Sequence, residues 1–246
     1  MSSATYRVAG DRGILISFGS RMCEDVFRKV LAFDRELENS RLAGVVDTNR
    51  AFCSVFVNYD PLRVEYDELL GRLKDVELLA EGESRLGKGE EVLDIPVVYG
   101  GPYGPDLPWV AAQLGVCEKE VVRRHCAKDY LVYMTGHIGG SVFFLGDDEL
   151  FNLPRKKTPV LTYPAGSIVF AAGMGGIKGA DGPTAWYKIG QSPLRQWQPE
   201  CDPPTLINSG DIIRFRRVSP SEYKDLESQV RKGHFSLVRQ SSGPRG

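Results

Sequence analysis

Residues 164–193 read PAGSIVFAAGMGGIKGADGPTAWYKIGQSP, and this stretch decides how the fold is interpreted. It holds seven glycines and three prolines, interleaved with strand-forming residues such as Ile168, Val169 and Trp186. Flexible linkers lack such apolar anchors, whereas glycine permits positive φ and close approach of neighbouring backbones. The stretch therefore predicts either a tight barrel corner or a loop shaped around a ligand.

Bulk composition excludes several classes of protein. The 31 basic and 32 acidic residues of the 246-residue chain nearly cancel, so no basic field favours nucleic acid or a membrane surface as a partner. The five cysteines are scattered without a C-x-x-C pair, which argues against a disulfide framework and a metal site and favours a reducing cytoplasm. The sequence offers neither a signal-peptide pattern at its start nor a window of about 18 apolar residues.

The first 80 residues predict a small α+β domain. Alternation over Tyr6–Ala9 and Gly13–Phe18 indicates two short strands, and helical spacing follows until about Ser40. Two more strands and a second amphipathic helix complete the pattern, which suits a ferredoxin-like sandwich. The polar residues 81–91 are the expected linker.

Residues 92–240 predict a mainly β domain. A strand over Val92–Val98 precedes a glycine- and proline-rich loop, after which Asp106 is expected to cap the first of two short helices. From Tyr130 onward, short apolar runs alternate with turn residues, which is the pattern of a closed or nearly closed barrel. A last helix over Pro220–Lys232, a strand over His234–Val238 and a disordered tail over 241–246 are expected at the end.

A series of short motifs in one order carries a resemblance to a known family. The matching motifs include Val57-Asn58-Tyr59-Asp60-Pro61, Ile95-Pro96-Val97-Val98-Tyr99-Gly100-Gly101, Tyr133-Met134, Leu153-Pro154-Arg155-Lys156 and Pro164-Ala165-Gly166-Ser167. By these motifs the chain resembles the family of allophanate hydrolase subunit 1, the B-type subunit of 5-oxoprolinase and the sporulation kinase inhibitor KipI, as a divergent member with carboxyltransferase subdomains C and D. The resemblance implies that the second domain is a cyclophilin-like β-barrel. It also implies a partner, a homologous barrel subunit similar to allophanate hydrolase subunit 2 or to the C-type subunit of 5-oxoprolinase.

Three loops depart from the family pattern together. Gly136–Ser141 replaces a Gly-Phe-Thr-Pro-Gly-Phe segment, and Met174-Gly175-Gly176 replaces Gln-Thr-Gly. Lys178-Gly179 stands where the family has Tyr-Pro, and Gln191 stands in place of an arginine. Because these loops are expected to line one cleft, the changes indicate altered ligand choice or lost catalysis.

Three residues are the candidate catalytic groups. His125 has an ordinary pKa near 6.5 and could relay a proton, although a histidine at a helix end can equally be a satisfied structural residue. Arg155 and Lys156 follow a proline, and the family places a basic pair there beside its cleft. They could capture a carboxylate or phosphate, or simply form a solvated surface run with Lys157.

Eight further residues are the candidate substrate-binding set. The run 173–179 is not a Walker A loop, because Lys178 is followed by glycine, and it serves either as an anion-binding nest or as a structural corner. Ser141 lies in no nucleophile elbow, which argues against a serine hydrolase. The set comprises Tyr133, His137, Gly140, Gly173, Met174, Gly175, Trp186 and Gln191.

The resemblance implies one leading function and two alternatives. The leading one is a subunit of an ATP-dependent, 5-oxoprolinase-like amidohydrolase that acts on a small cyclic amide or acyl urea, with ATP at a site shared with or supplied by the partner. One alternative is a regulator similar to KipI that binds a histidine kinase. The other is half of a biotin-dependent carboxyltransferase.

Overall fold

The computed structural model describes residues 4–83, 91–136 and 138–241. The chain divides into two compact units, Met1–Lys88 and Gly89–Gly246. Residues 84–90 of the expected linker and 242–246 of the expected tail lie outside the described residues.

The first unit is an antiparallel four-stranded sheet with two helices. Its elements are β1 (Thr5–Val8), β2 (Gly13–Ser17), α1 (Glu24–Ser40), β3 (Val45–Arg50), β4 (Ser54–Tyr59) and α2 (Tyr66–Glu83). The strands lie in the order β1-β2-β4-β3, and each neighbouring pair is antiparallel. Alternation along the two central strands buries one face of the sheet, and α1 supplies apolar residues at helical spacing. The buried residues include Ile14, Ile16, Val55, Val57, Phe27, Val30 and Phe33.

The ferredoxin-like assignment of this unit is not confirmed. A ferredoxin-like unit has the order βαββαβ. Here the order is ββαββα, because the unit opens with the β1–β2 hairpin and ends with α2. The strand beside β2 at the edge of the sheet is thus the first strand of the chain, where a ferredoxin-like sheet would use a strand that follows the second helix.

The second unit contains a closed barrel. Its strands in the described residues are β5 (Glu91–Tyr99), β6 (Asp129–Thr135), β7 (Val142–Leu145), β8 (Val160–Tyr163), β9 (Ser167–Ala171), β10 (Met174–Ile177), β11 (Gly182–Thr184), β12 (Tyr187–Gln191), β13 (Ile212–Arg217) and β14 (Arg239–Ser241). Seven strands follow one another as β12-β9-β10-β7-β6-β13-β5, and pairing of β12 with β5 closes the ring. The barrel is mixed, because β13 pairs with β5 in parallel while its pairing with β6 is antiparallel. The predicted barrel is confirmed.

The remaining elements of the second unit lie around the barrel. Strands β8 and β11 form a separate two-stranded ribbon, and β14 extends the barrel sheet beside β5. The helices are α3 (Leu107–Gln113), α4 (Glu118–Cys126) and α5 (Pro220–Arg231). The Ser219 hydroxyl accepts a hydrogen bond from the Glu222 amide and so caps α5. Among the described residues, no helix combines the length and apolar character needed to cross a bilayer.

Aromatic side chains fill the barrel and explain why part of the glycine-rich stretch is a strand. Phe144, Phe151 and Phe215 are almost fully buried. A Cβ atom at Gly175 on β10 would lie 2.3 Å from the Phe144 ring and 2.9 Å from Phe151. Glycine at this position therefore lets two rings lie against the β10 backbone.

Two expectations about individual segments need correction. The run 173–179 contributes strand β10, and the corner lies before it at Ala172 and Gly173, which have φ values of 53° and 82°. The expected strand over His234–Val238 does not form, and β14 begins at Arg239. Phe235 and Leu237 instead pack against the barrel core, so their apolar alternation reflects burial without a strand ladder.

Replacing Gly175 with alanine is expected to destabilise the protein by about 1–3 kcal/mol, since the added methyl group overpacks two aromatic rings. Urea unfolding measures the change. Gly71→Ala is the matched comparison, because Gly71 lies in α2 with nothing within 4 Å of its added Cβ, and it is expected to stabilise by about 0.5–1 kcal/mol. Wild-type stability of the Gly175 variant would contradict the packing described here.

Candidate functional site

The barrel carries a cleft of ≈ 270 Å³ where β7 begins and β10 ends. We call it the Arg155 cleft, and its lining includes buried apolar, aromatic and charged residues. Val142, Val169 and Ile177 are apolar and buried, and Phe143 and Trp186 supply aromatic surface. The charged residues that line it are Arg155, Lys178 and Asp181. An apolar cleft with a few converging charges is typical of a small-molecule site.

A cation lies against the aromatic wall of the cleft. The rings of Phe143 and Trp186 meet edge to face, with their centroids 5.8 Å apart. The guanidinium carbon of Arg155 lies 6.0 Å from the Trp186 ring centroid, which is within the range of a cation–π contact. The structure thus brings together the predicted residues Arg155 and Trp186.

Lys178 and Asp181 reach the cleft from a loop that is anchored to the 164–167 turn. The Lys178 amide donates to the Ser167 carbonyl at 3.0 Å, and the Gly166 amide donates to the Lys178 carbonyl at 2.7 Å. The Ala165 amide donates to Asp181 Oδ1 at 2.8 Å. Burial lowers the pKa of Lys178, and the negative charge of Asp181 partly offsets this effect. The site prediction omitted both residues.

The Gln191 side chain forms hydrogen bonds with the 164–167 turn. Its Nε2 donates to the Ala165 carbonyl, and its Oε1 accepts from the Ser167 hydroxyl at 3.1 Å. The side chain is 6% exposed and does not line the cleft. The structure therefore places Gln191 as a support of the turn.

The altered loop 136–141 borders the cleft. Gly136 and Ile138 line it, whereas His137 lies outside the described residues. The Ser141 hydroxyl donates to the Ile138 carbonyl at 2.8 Å and accepts from the Gly179 amide at 2.9 Å, so it joins two loops. Gly140 has φ 64° and does not line the cleft.

A second polar group, the Asp106 cluster, consists of Asp106, Lys156 and Tyr163. The Lys156 ammonium lies 2.8 Å and 2.7 Å from the two carboxylate oxygens of Asp106, and the Tyr163 hydroxyl donates to Oδ2 at 2.8 Å. The Lys188 amide donates to the same oxygen at 2.7 Å. Asp106 occupies the N-cap position of α3 without a side-chain capping bond, which corrects the capping prediction: its carboxylate is engaged elsewhere.

The cluster separates the roles of two neighbouring cations. Lys156 is 14% exposed and forms an ion pair inside the molecule, while its ammonium lies 5.4 Å from the Tyr187 ring centroid. Arg155, one residue earlier, lies over Trp186. Lys156 therefore neutralises Asp106 and does not line the Arg155 cleft. Burial, together with the hydrogen bond to Asp106, raises the pKa of Tyr163.

His125 lies in the barrel core and not in the cleft. Its ring is fully buried at the end of α4, and its centroid lies 4.3 Å from that of Phe215. Nδ1 is 2.8 Å from the Tyr99 hydroxyl, and Nε2 has no hydrogen-bond partner in the described structure. Burial lowers the pKa of His125 to about 3. The predicted catalytic groups His125 and Arg155 are thus not brought together.

The other predicted residues also lie away from the cleft. Tyr133 is a buried residue of β6, and its carbonyl accepts from the Ser209 hydroxyl at 2.8 Å. Gly173, Met174 and Gly175 form the corner and start of β10, whereas the cleft begins at Gly176 near the other end of that strand. Among the described residues, no three His, Cys, Asp or Glu side chains converge on a metal position.

Comparison with known proteins gives one consistent family. The family described as carboxyltransferase domain, subdomain C and D, matches residues 4–207. The B-type subunit of 5-oxoprolinase from Bacillus subtilis is 34% identical over 87% of this chain and 92% of its own length. A solved structure of the conserved uncharacterized protein PH0987 from Pyrococcus horikoshii is 32% identical over 89% of this chain and all of its own, with a TM-score of 0.52.

A more distant structure supports the fold alone. The urea amidolyase of K. lactis matches 97% of this chain with a TM-score of 0.75 at 18% identity, and the match covers 16% of that chain. A similar fold therefore also occurs as part of a much longer polypeptide.

His125 predicts a specific dependence of stability on pH. Since its pKa is about 6.5 when unfolded and about 3 when folded, its contribution is complete above pH 6.5 and is lost as the pH falls from 6.5 towards 3. We expect the group to contribute a slope of up to about 1.4 kcal/mol per pH unit to the free energy of unfolding.

Urea unfolding between pH 7.5 and 4.5 measures that slope. His125→Phe keeps a ring in the core and is expected to lose this part of the slope, whereas replacing the exposed His234 with glutamine is the control and should retain it. Equal slopes in wild type and in the His125 variant would show that the buried ring is not held neutral.

Proposed function

The chain belongs to the carboxyltransferase domain, subdomain C and D, family, and from this premise we propose that it is a subunit of a 5-oxoprolinase- or allophanate hydrolase-like complex. Three relatives named as the B-type subunit of 5-oxoprolinase support the proposal. The observation that carries it is the Arg155 guanidinium, which lies over an aromatic wall in a cleft of ≈ 270 Å³.

The proposed substrate is a small amide that bears a carboxylate, such as 5-oxoproline. A guanidinium binds a carboxylate through two parallel hydrogen bonds, and the Trp186 ring offers a flat apolar surface to a planar amide. Contact with the buried floor of Val142, Val169 and Ile177 would exclude water and strengthen the ionic contact. The chain's own contribution is thus to bind and orient the substrate.

We propose that ATP acts at a site shared with the partner. The cleft of ≈ 270 Å³ is smaller than the roughly 300–1,000 Å³ of typical ligand pockets, so it suits a small acid better than a whole nucleotide. Arg155 and Lys178 are the cleft residues that could contact a phosphate. When bound, ATP would supply the phosphoryl group and free energy that activate an amide carbonyl.

The proposed partner is a homologous barrel subunit, and the barrel described here is proposed to be of the cyclophilin-like type. In this proposal the isolated chain binds substrate but has no hydrolytic activity, and the pair functions in the cytoplasm. The KipI-like regulator has weaker support, because kinase binding gives no role to a cation in an aromatic cleft. Half of a biotin-dependent carboxyltransferase would require a biotin-bearing partner.

The test is ATP consumption in the presence of 5-oxoproline by this chain, by the partner and by the purified pair. We expect turnover only with the pair. Arg155→Met is expected to lower kcat/KM by about 10–100-fold, since a hydrogen bond between charged groups contributes about 1.5–3 kcal/mol.

Two controls sharpen this experiment. Arg155→Lys keeps the charge but loses the planar fork and is expected to fall between wild type and Arg155→Met. Lys157→Met removes an exposed neighbouring cation that does not line the cleft and should have little effect. Recovery of a histidine kinase with the chain, together with no ATP turnover by the pair, would favour the regulator.

A further inference from the structure

In the part of the chain that the structure describes, the charged groups that line the Arg155 cleft are two cations, Arg155 and Lys178, and one carboxylate, Asp181. Among the described residues, neither Arg155 nor Lys178 forms an ion pair within 4.0 Å, whereas Lys156 is paired with Asp106. Asp181 lines the same cleft, and one of its carboxylate oxygens already accepts from the Ala165 amide. The cleft therefore keeps more positive charge than its own side chains neutralise.

Lys178 is the more unusual of the two, because it is half-buried. Moving an ammonium group out of water is costly unless an anion or hydrogen-bond acceptors replace the lost solvent. The lowered pKa of Lys178 reflects this cost, and Asp181 offsets it only in part. An anionic group of a ligand would complete the environment of the Lys178 ammonium.

The two cations are held independently. Arg155 follows Pro154 and lies over Trp186, next to a residue fixed by the Asp106 cluster. The Lys178 backbone is fixed at the end of β10 by hydrogen bonds to Gly166 and Ser167. Two cations on separate supports in one small cleft can each bind a different anionic group of a single ligand.

We propose that Lys178 is a second anion site of the cleft and receives the carboxylate that forms when the amide of an Arg155-bound substrate is opened. The ligand class is then a small molecule with two carboxylates, as product, and its mono-amide, as substrate. This rests on the proposed function. In the hydrolysis of the amide, the C–N bond breaks, the water oxygen bonds to the carbonyl carbon, and both water protons pass to the nitrogen, leaving a carboxylate and an ammonium. The coupled hydrolysis of ATP consumes a second water and releases ADP and phosphate.

This placement gives Lys178 a role in the reaction beyond ground-state binding. The amide carbonyl is neutral in the substrate and acquires negative charge as water adds to it. An ammonium beside it binds the charged species more strongly than the substrate, and this difference lowers the barrier. Arg155, in contrast, contacts a carboxylate whose charge is the same throughout.

The test compares two probes that differ in one group. Glutarate carries two carboxylates, and glutaramate has one of them replaced by a neutral amide. Calorimetric titration of the full chain at pH 7.5 is expected to show at least tenfold tighter binding of glutarate. Lys178→Met is expected to reduce this preference to within about twofold, because it weakens binding of glutarate at least about fivefold more than binding of glutaramate.

Two further variants test whether the effect depends on the positive charge at residue 178 and on its position in the cleft. Lys178→Arg keeps the cation and the backbone hydrogen bonds, so it should retain a clear preference for glutarate. Lys157→Met removes a nearby exposed cation and should behave as wild type. Circular dichroism of each variant checks the fold.

Three results would overturn the inference: an unchanged glutarate preference in Lys178→Met, no preference in wild type, or binding of neither probe. The outcome is separable from that of the proposed function. Turnover of 5-oxoproline by the pair without a Lys178-dependent preference would leave the function standing and remove the second anion site. A Lys178-dependent preference without turnover would keep the anion site and remove the amidohydrolase.

Discussion

The carboxylate of Asp106 is the interaction on which the arrangement of the candidate site depends. It accepts hydrogen bonds from the Lys156 ammonium, the Tyr163 hydroxyl and the Lys188 amide, which come from segments 50, 57 and 82 residues further along the chain. Because a largely buried charge is stable only when it is paired, this carboxylate fixes where Lys156 lies. The position of Lys156 in turn limits the positions available to Arg155, its neighbour.

The cations near this carboxylate differ in whether an acidic side chain pairs with them. Lys156 forms an ion pair with Asp106, and its ammonium lies 5.4 Å from the Tyr187 ring centroid. Arg155 lies over Trp186, where no acidic partner occurs among the described residues, and Lys178 reaches the same cleft from the end of β10. An anionic group of a ligand is the proposed partner of Arg155 and Lys178. An anion that also contacts the buried floor of the cleft would be bound more strongly than in water.

Much of the fold could be predicted from the sequence, because the local spacing of apolar residues indicates most of its helices and strands. Helix α1 follows from its helical spacing, and strand β7 follows from a short apolar run bounded by turn residues. Strand β10 could not be predicted in this way. Its glycines indicate a loop until the Phe144 and Phe151 rings that occupy the space beside them are known. The ferredoxin-like assignment was not confirmed, because local patterns do not fix which strand borders β2.

The sequence pointed to residue types that suit a binding site, but only some of those residues line the cleft. Arg155 and Trp186, both among the candidate residues, lie together in the cleft, whereas His125 belongs to the aromatic core. Its burial depends on contacts with Phe215 and Phe151 that are distant in sequence. Lys178 was visible as a departure from the family pattern, but its half-buried position beside the cleft required the three-dimensional structure.

The most direct test of the central claim is a double-mutant cycle between Asp106→Asn and Arg155→Met, with glutaramate binding measured by calorimetry. If Asp106 acts by positioning Arg155, the Asp106 change weakens binding about tenfold in wild type and has no further effect in the Arg155 variant. An equal effect in both backgrounds, or none in wild type, would show that the Asp106 cluster does not position the cation of the cleft.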